Sequence, residues 1–213
     1  MKKISIVFAT TSSFKRQEIA IVLSSNEFTD VDKVSRKVGD RFDIHFSDVR
    51  TDEPLEIDLV PMVRHKAISA YRGLLTPCIV EHAGLILKEH ESKGFPGGLT
   101  QPMWDALDAG GFLRRTRAAG EPALARAVIG YCDGMGVYTF IGETEGTIAH
   151  EARGSREFYW DTIFCPNGFE GKTYAEISEA HGLSEKMKIS QSYRALREFL
   201  ELRAKKGESD LFS

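Results

Sequence analysis

The 213-residue sequence lacks most features that announce a function at sight. Its three cysteines, Cys78, Cys132 and Cys165, stand far apart and form no C-x-x-C pair, which argues against a structural zinc site. Cys78 and Cys165 lie in apolar runs, where a free cysteine behaves as a small core residue. No apolar stretch approaches the ~18 residues of a membrane span, and no secretory h-region is visible. The expectation is a cytoplasmic protein in a reducing setting, with no membrane contact. Positive charge is not in excess either: 28 Lys and Arg face 31 Asp and Glu, a net charge of −3, so nothing offers a footprint for nucleic acid. There is no internal repeat, no low-complexity linker and no Walker-type Gly-x-x-x-x-Gly-Lys, because GFPGG lacks the lysine.

What is present is ordinary in bulk and mixed in pattern. A hydrophobic fraction of 42% and a charged fraction of 28% suit a soluble globular chain, and the length suits one domain over residues 1–213. Residues 3–9, KISIVFA, read as a short buried strand. The hydroxyl-rich TTSS follows, then FKRQEIAIVLSS with Phe14, Ile19, Val22 and Leu23 at helical spacing. Residues 42–48 alternate like a second strand. LEIDLVPMVRHKAISAYRGLL reads as helix, with Pro61 near its start or at a kink. CIVEHAGLIL, residues 78–87, joins two apolar runs through Glu81, His82, Ala83 and Gly84. It reads as two strands meeting at a polar corner, or as one strand with a bulge. Residues 91–102 form a Gly/Pro loop, MWDALDAGGFLRR a helix, and residues 126–150 a hairpin-like alternation. REFYWDTIFCPNGFEGKTYAEIS is an aromatic loop, and SEKMKISQSYRALREFLELRAKK closes the chain as an amphipathic helix. Strands and helices in this order predict an α/β chain built around one sheet.

Three stretches carry chemistry. In IVFATTSSFK a strand ends, hydroxyl residues follow and Lys15 occupies the first turn of a helix. The orphan N–H groups of a helix N-terminus attract phosphate, and a lysine adds a point charge. Alternatively Ser12 or Ser13 is simply the N-cap and Lys15 a surface lysine. Phe158, Tyr159, Trp160 and Phe164 cluster around Asp161, an arrangement that can stack a base and accept from its ring or sugar, or else form a satellite core under a long loop. Lys186 and Lys188 precede a helix that Ser190 can cap, and a solvated lysine face is the plainer alternative.

Taken in order, these stretches resemble the inosine/xanthosine triphosphate pyrophosphatases, which hydrolyse inosine- and xanthosine-type purine nucleoside triphosphates to monophosphate and pyrophosphate. That family's T-G-N-x-x-K opening, with a glutamate three residues on, is matched by Thr10, Thr11, Ser12, Lys15 and Glu18. Its V-E-D-[ST]-G-L is matched by VEHAGL, and its F-G-[WY]-D-P-x-F-x-P-x-G by Phe158, Trp160, Asp161, Phe164, Pro166 and Gly168. Its E-K-x-x-[IV]-S-H-R-x-x-A-L is matched by Glu185, Lys186, Ile189, Ser190, Ala195 and Leu196. The resemblance spans about residues 4 to 200. It implies an elongated α/β fold, with a long mixed twisted sheet, flanking helices and two lobes around a nucleotide cleft, and it implies a homodimer. It places Lys15 and Lys186 on the triphosphate and Thr10, Thr11 and Ser12 in the phosphate loop. Phe158, Trp160, Asp161, Ser190 and Gln191 fall at the base and sugar.

The departures matter as much. The family's general base, an acid beside magnesium, is His82 here, and Ala83 replaces the hydroxyl residue that follows. Imidazole is a poor ligand for magnesium, which wants an octahedral shell of oxygens. Glu81 is kept, and a second acid from Asp48, Asp52 or Glu53 completes the implied metal site, with Glu53 preferred. The His-Arg pair that reads the base is Gln191-Ser192. A binding shell without its acid implies a nucleotide sensor whose catalysis is weak or absent and which acts through an effector, for example in bacterial antiphage defence. The competing expectation is an active magnesium-dependent pyrophosphatase in which Glu81 and a loop acid hold the metal and His82 activates water.

Overall fold

In the computed structural model, which describes residues 3–30, 32–155 and 159–206, alternation in the first strand sets the frame. Strand β1 (Ile4–Ala9) turns Ile4, Ile6 and Phe8 into one core, because successive side chains of a strand point to opposite faces. Helix α1 (Ser13–Ser25) follows, then a small hairpin of β2 (Glu27–Thr29) and β3 (Ser35–Lys37), the short α2 (Val38–Arg41) and β4 (Phe42–Ser47). Helix α3 (Leu59–Leu74) leads to β5 (Cys78–Leu87), α4 (Thr100–Thr116), β6 (Pro122–Cys132), β7 (Val137–Ile148) and β8 (Phe164–Pro166). Helices α5 (Tyr174–His181), α6 (Leu183–Ile189) and α7 (Gln191–Lys206) complete the order.

The main sheet runs β4-β1-β5-β6-β7-β8. Strands β4 and β5 lie parallel to β1 on its two sides, and β6, β7 and β8 continue antiparallel. Helices α1 and α7 cover one face: Ile19, Val22, Leu196 and Phe199 pack with Ile79 and Ile129. Helix α3 covers the other face, with Val63, Ala67 and Ala70 against Cys78, Val80 and Val128. Around the far ends of β5 and β7 a third cluster gathers Leu85, Phe112, Ile148, Phe164 and Tyr174. The expected α/β architecture with a mixed twisted sheet and flanking helices is what forms.

Several local expectations are corrected. Residues 78–87 are one strand without a bulge, paired continuously with β6 from Cys78↔Cys132 to Leu87↔Ala123. Pro61 lies in the first turn of α3, where its missing N–H is harmless, and makes no kink. The aromatic loop contains β8 and α5; the latter is closed by a capping box of Thr173 and Glu176. The closing helix is two helices. They break at extended Ser190, whose hydroxyl accepts from Tyr193 N at 3.2 Å and so caps α7. Helix α4 is broken as well, at Asp108 (φ 55°), whose carboxylate accepts from Gly111 N at 2.8 Å and restarts the second half. Short-range polar bonds of this kind compete with the periodic pattern that a sequence displays.

Glycines set how closely the cleft-forming segments stack. A Cβ on Gly84 of β5 would lie 2.1 Å from the carbonyl oxygen of Gly97, in the Gly/Pro loop. One on Gly97 (φ 55°) would lie 2.1 Å from Ile57 O, and one on Gly98 would lie 2.3 Å from Glu56 O. Strand β5, the 94–99 loop and the 50–58 loop thus stack backbone to backbone, tied by Leu85 N to Thr100 Oγ1 (2.9 Å) and Gly98 N to Ile57 O (2.9 Å). Backbone cannot retreat as a flexible side chain can. Gly84→Ala is therefore expected to destabilise the protein by at least roughly 1–3 kcal/mol, the usual cost of overpacking. Urea unfolding checks it: the midpoint should fall with the slope unchanged, and an unaltered midpoint contradicts this close approach.

Candidate functional site

Strands β1 and β4 end at Ala9 and Ser47, while β5 runs on past them. The connections from β1 and β4 leave on opposite faces, through α1 and α3. In open α/β sheets that reversal at the carboxyl ends of parallel strands leaves a crevice where ligands bind. Here it holds a cleft of about 1420 Å³, above the ~300–1,000 Å³ usual for a small-molecule site. One wall is the Thr10–Lys15 loop and helix start. The other is α4, from Gln101 to Arg114, with Tyr159 and Thr162 beside it.

The phosphate-loop expectation is placed on that wall: Thr10, Thr11, Ser12 and Lys15 all line the cleft. Thr10 Oγ1 accepts from Ser12 N (3.2 Å), and Ser12 Oγ caps α1 by accepting from Lys15 N (3.3 Å). Arg16 braces the loop by donating to Thr10 O (3.0 Å) and pairing with Asp48. The positive end of the α1 dipole therefore faces the cleft behind a fixed loop.

Strand alternation separates Glu81 from His82. Glu81, with only 6% of its side chain exposed, points to the α7 face, where its Oε1 accepts from Ser192 Oγ at 2.9 Å and lies 3.7 Å from Lys15 Nζ. His82 points the other way, onto the cleft. Its Nδ1 lies 3.3 Å from Glu53 Oε2. A carboxylate only accepts, so Nδ1 carries the hydrogen, and Nε2 is left buried and without a hydrogen-bond partner. Glu53 Oε1 meanwhile accepts from Lys66 Nζ at 2.6 Å. Two ammonium groups converge on one backbone oxygen, since Glu81 O accepts from Lys15 Nζ at 3.0 Å and from Lys66 Nζ at 3.4 Å. Burial pushes the Glu53 carboxyl up, but the bonds from His82 and Lys66 outweigh it and hold it at about 2. Burial pushes His82 below its ordinary value against the opposing Glu53 bond, and the Lys15 and Lys66 charges add to the depression. The ring is neutral at pH 7. Burial and the Lys15 charge likewise lower Lys66.

Of the three loop acids considered from sequence, only Glu53 meets His82. Asp48 pairs with Arg16, and Asp52 with Ser69 of α3. Lys66 was missed, although a signal existed. It stands three residues after Val63 and four before Ala70, a lysine in the apolar stripe of a helix. Ser192, 111 residues from its partner Glu81, gave no such signal.

Five expected ligand contacts lie behind the wall instead of on it. Trp160 is core, 6.0 Å from the Phe164 ring and 6.5 Å from the Tyr174 ring. Gln191 Oε1 accepts from Tyr174 OH (3.1 Å), and Ser190 is committed to capping. Lys186, 1% exposed, is not a cleft lysine: its Nζ lies 2.8 Å from both Glu18 Oε1 and Asp161 Oδ2. Burial pushes both carboxyls up, and the two together hold Lys186 protonated. Phe158 lies outside the described residues. What these placements share is that each buried polar group has a hydrogen-bond or ion-pair partner, which offsets the loss of water.

The donor set does not suit a resident magnesium ion. Glu53 spends both oxygens on Lys66 and His82, Glu81 is held by Ser192 and Lys15, and position 82 offers nitrogen where an octahedral ion needs oxygen. Among the described residues no three His, Cys, Asp or Glu side chains gather to hold a metal.

Comparison with known proteins adds a lineage to this geometry. The profile of the Ham1 family matches residues 6–202. A dITP/XTP pyrophosphatase of Methanopyrus kandleri is 34% identical over 164 residues, covering 76% of this chain and 81% of that protein. One from Hyperthermus butylicus is 31% identical over 194 residues, 91% of each chain. The solved structure of the Staphylococcus aureus Ham1 protein superposes with a TM-score of 0.66 at 19% identity, covering 93% of this chain and 97% of that one.

The buried trio generates a stability prediction. Lys186→Ala strands two buried carboxylates, and losing one partner of a buried ionic group typically costs about 3–5 kcal/mol. At roughly 2–4 °C per kcal/mol for a chain of this size, the thermal midpoint should fall by on the order of 10 °C. Differential scanning fluorimetry on Lys186→Ala beside Lys15→Ala, whose ammonium is partly exposed, should show the first far below the second. Equal midpoints would remove the trio from the frame of the cleft.

Proposed function

The chain belongs to the Ham1 family, and on that premise we propose that it binds an inosine- or xanthosine-type purine nucleoside triphosphate in the cleft and hydrolyses it weakly or not at all. The relatives named above act on dITP and XTP, which supports the ligand class. The capped N-terminus of α1, with Lys15 and Lys66 converging on Glu81 O, supports triphosphate at that end. The observation that carries the weakened catalysis is at position 82. A neutral imidazole bonded to Glu53 stands where the family's acid is implied, and that bond also occupies the nearest other carboxylate. Trp160, Asp161, Lys186, Ser190 and Gln191 then act from behind the wall as its frame. A site that holds its ligand without consuming it suits a sensor, and occupancy is passed to an effector partner.

One observation favours a second reading, an active pyrophosphatase. Glu53 accepting from Nδ1 leaves Nε2 of His82, a residue of the cleft lining, as an unpartnered acceptor, the tautomer of an oriented general base. Water would give its proton to Nε2 as its oxygen attacks the α-phosphorus, and pyrophosphate would leave from the broken α–β bond.

Equilibrium binding and pyrophosphate release, run on one panel of nucleotides, separate the two. The sensor reading expects inosine and xanthosine triphosphates to bind with little release, and His82→Asp to increase release when magnesium is supplied. Turnover by the unaltered protein near the ~1 per second of ordinary enzymes, abolished by His82→Ala, would establish the second reading. Lys15→Ala and Lys66→Ala should each weaken triphosphate binding at least about tenfold, ~1.4 kcal/mol, and leave nucleoside binding nearly unchanged. Unaltered triphosphate affinity in both would remove the ligand from this end of the cleft.

A further inference from the structure

We infer that the cleft takes its triphosphate as the free polyanion, with no bridging divalent cation, the ammonium groups of Lys15 and Lys66 supplying the charge such a cation would bring. This rests on the reading above that a triphosphate binds at the head of α1.

The argument is one of donors and of charge. A magnesium ion shared between protein and phosphate needs protein oxygens that are free to turn toward it. Glu53 has none to spare. Its Oε1 is 2.6 Å from Lys66 Nζ, and its Oε2 is 3.3 Å from His82 Nδ1. Glu81 points to the opposite face of β5, where Ser192 holds it at 2.9 Å. At the position from which an acid would reach the metal, the chain offers an imidazole ring.

The charges tell the same story. Lys15 and Lys66 balance Glu53 and Glu81 in number, and position 82 adds no carboxylate to the sum. A carboxylate at position 82 would leave a net negative site, and it would repel a phosphate unless a metal lay between them. With imidazole there, that repulsion is absent and so is the reason for the metal. The two ammonium groups also repel each other, held close because both donate to Glu81 O at 3.0 and 3.4 Å. An anion lying across both relieves that repulsion, which is electrostatic stabilisation already in place before the ligand arrives.

The experiment uses the full chain and inosine triphosphate as the probe, titrated by calorimetry in excess EDTA and again in excess magnesium. The expected result is an affinity in EDTA equal to or greater than that in magnesium. His82→Asp should lose at least about tenfold in EDTA, ~1.4 kcal/mol, and recover in magnesium. His82→Asn, which adds no charge, should lose less than His82→Asp in EDTA and gain nothing from magnesium. A thermal melt of each variant confirms that it is folded. Binding by the unaltered protein that collapses in EDTA and returns with magnesium overturns the inference and leaves the triphosphate reading standing. Absence of binding in both media overturns both.

Discussion

Strand β5 is hydrogen-bonded along its whole length to β6 and, at its start, to β1, and this pairing is the constraint on which the site depends. It allows no local twist at Glu81 and His82, so the two side chains must leave on opposite faces. Glu81 is thereby drawn inward to Ser192 of α7, while its carbonyl is left to gather Lys15 and Lys66. His82 is drawn outward to Glu53 and the cleft. A slip of one residue in the register would exchange these roles and bury an imidazole where a serine waits for a carboxylate.

Around that strand, charge is handled in two different ways. At the cleft it is balanced and partly exposed: Lys66 and Glu53 keep 13% and 37% of their side chains exposed. Behind the wall it is sealed. Lys186, Glu18 and Asp161 are almost wholly buried, and they persist only because each ammonium hydrogen bond offsets the loss of water. The first arrangement is suited to binding and the second to holding α1, α6 and the Tyr159–Thr162 turn in one register. The family motifs that carry Lys15, Glu18, Asp161 and Lys186 are therefore divided in space between the cleft wall and the scaffold behind it.

The glycines make the same point for the backbone. In sequence Gly84 belongs to the VEHAGL match, and Gly97 and Gly98 to a Gly/Pro loop that lacks a Walker lysine. In the fold they are spacers that let three segments touch, and so they hold Glu53 within reach of His82. The strained backbone of Asp108, with positive φ, similarly turns half of α4 along the cleft wall.

The residues alone determined the α/β class, the strand-loop-helix opening, the family, and the unusual imidazole at position 82. Each of these is a matter of local period, short-range bonding or ordered motifs, and local rules leave a mark on the linear pattern. The tertiary structure alone decided that 78–87 is one unbroken strand, that Glu53 and not Asp48 or Asp52 is the partner of His82, and that Lys66 joins Lys15. It also decided that Trp160, Lys186 and Gln191 are interior. Those outcomes turn on which distant groups compete for the same few buried hydrogen bonds. Ser192 meets Glu81 across 111 residues and Lys186 meets Glu18 across 168, separations at which only the folded backbone brings donor and acceptor together.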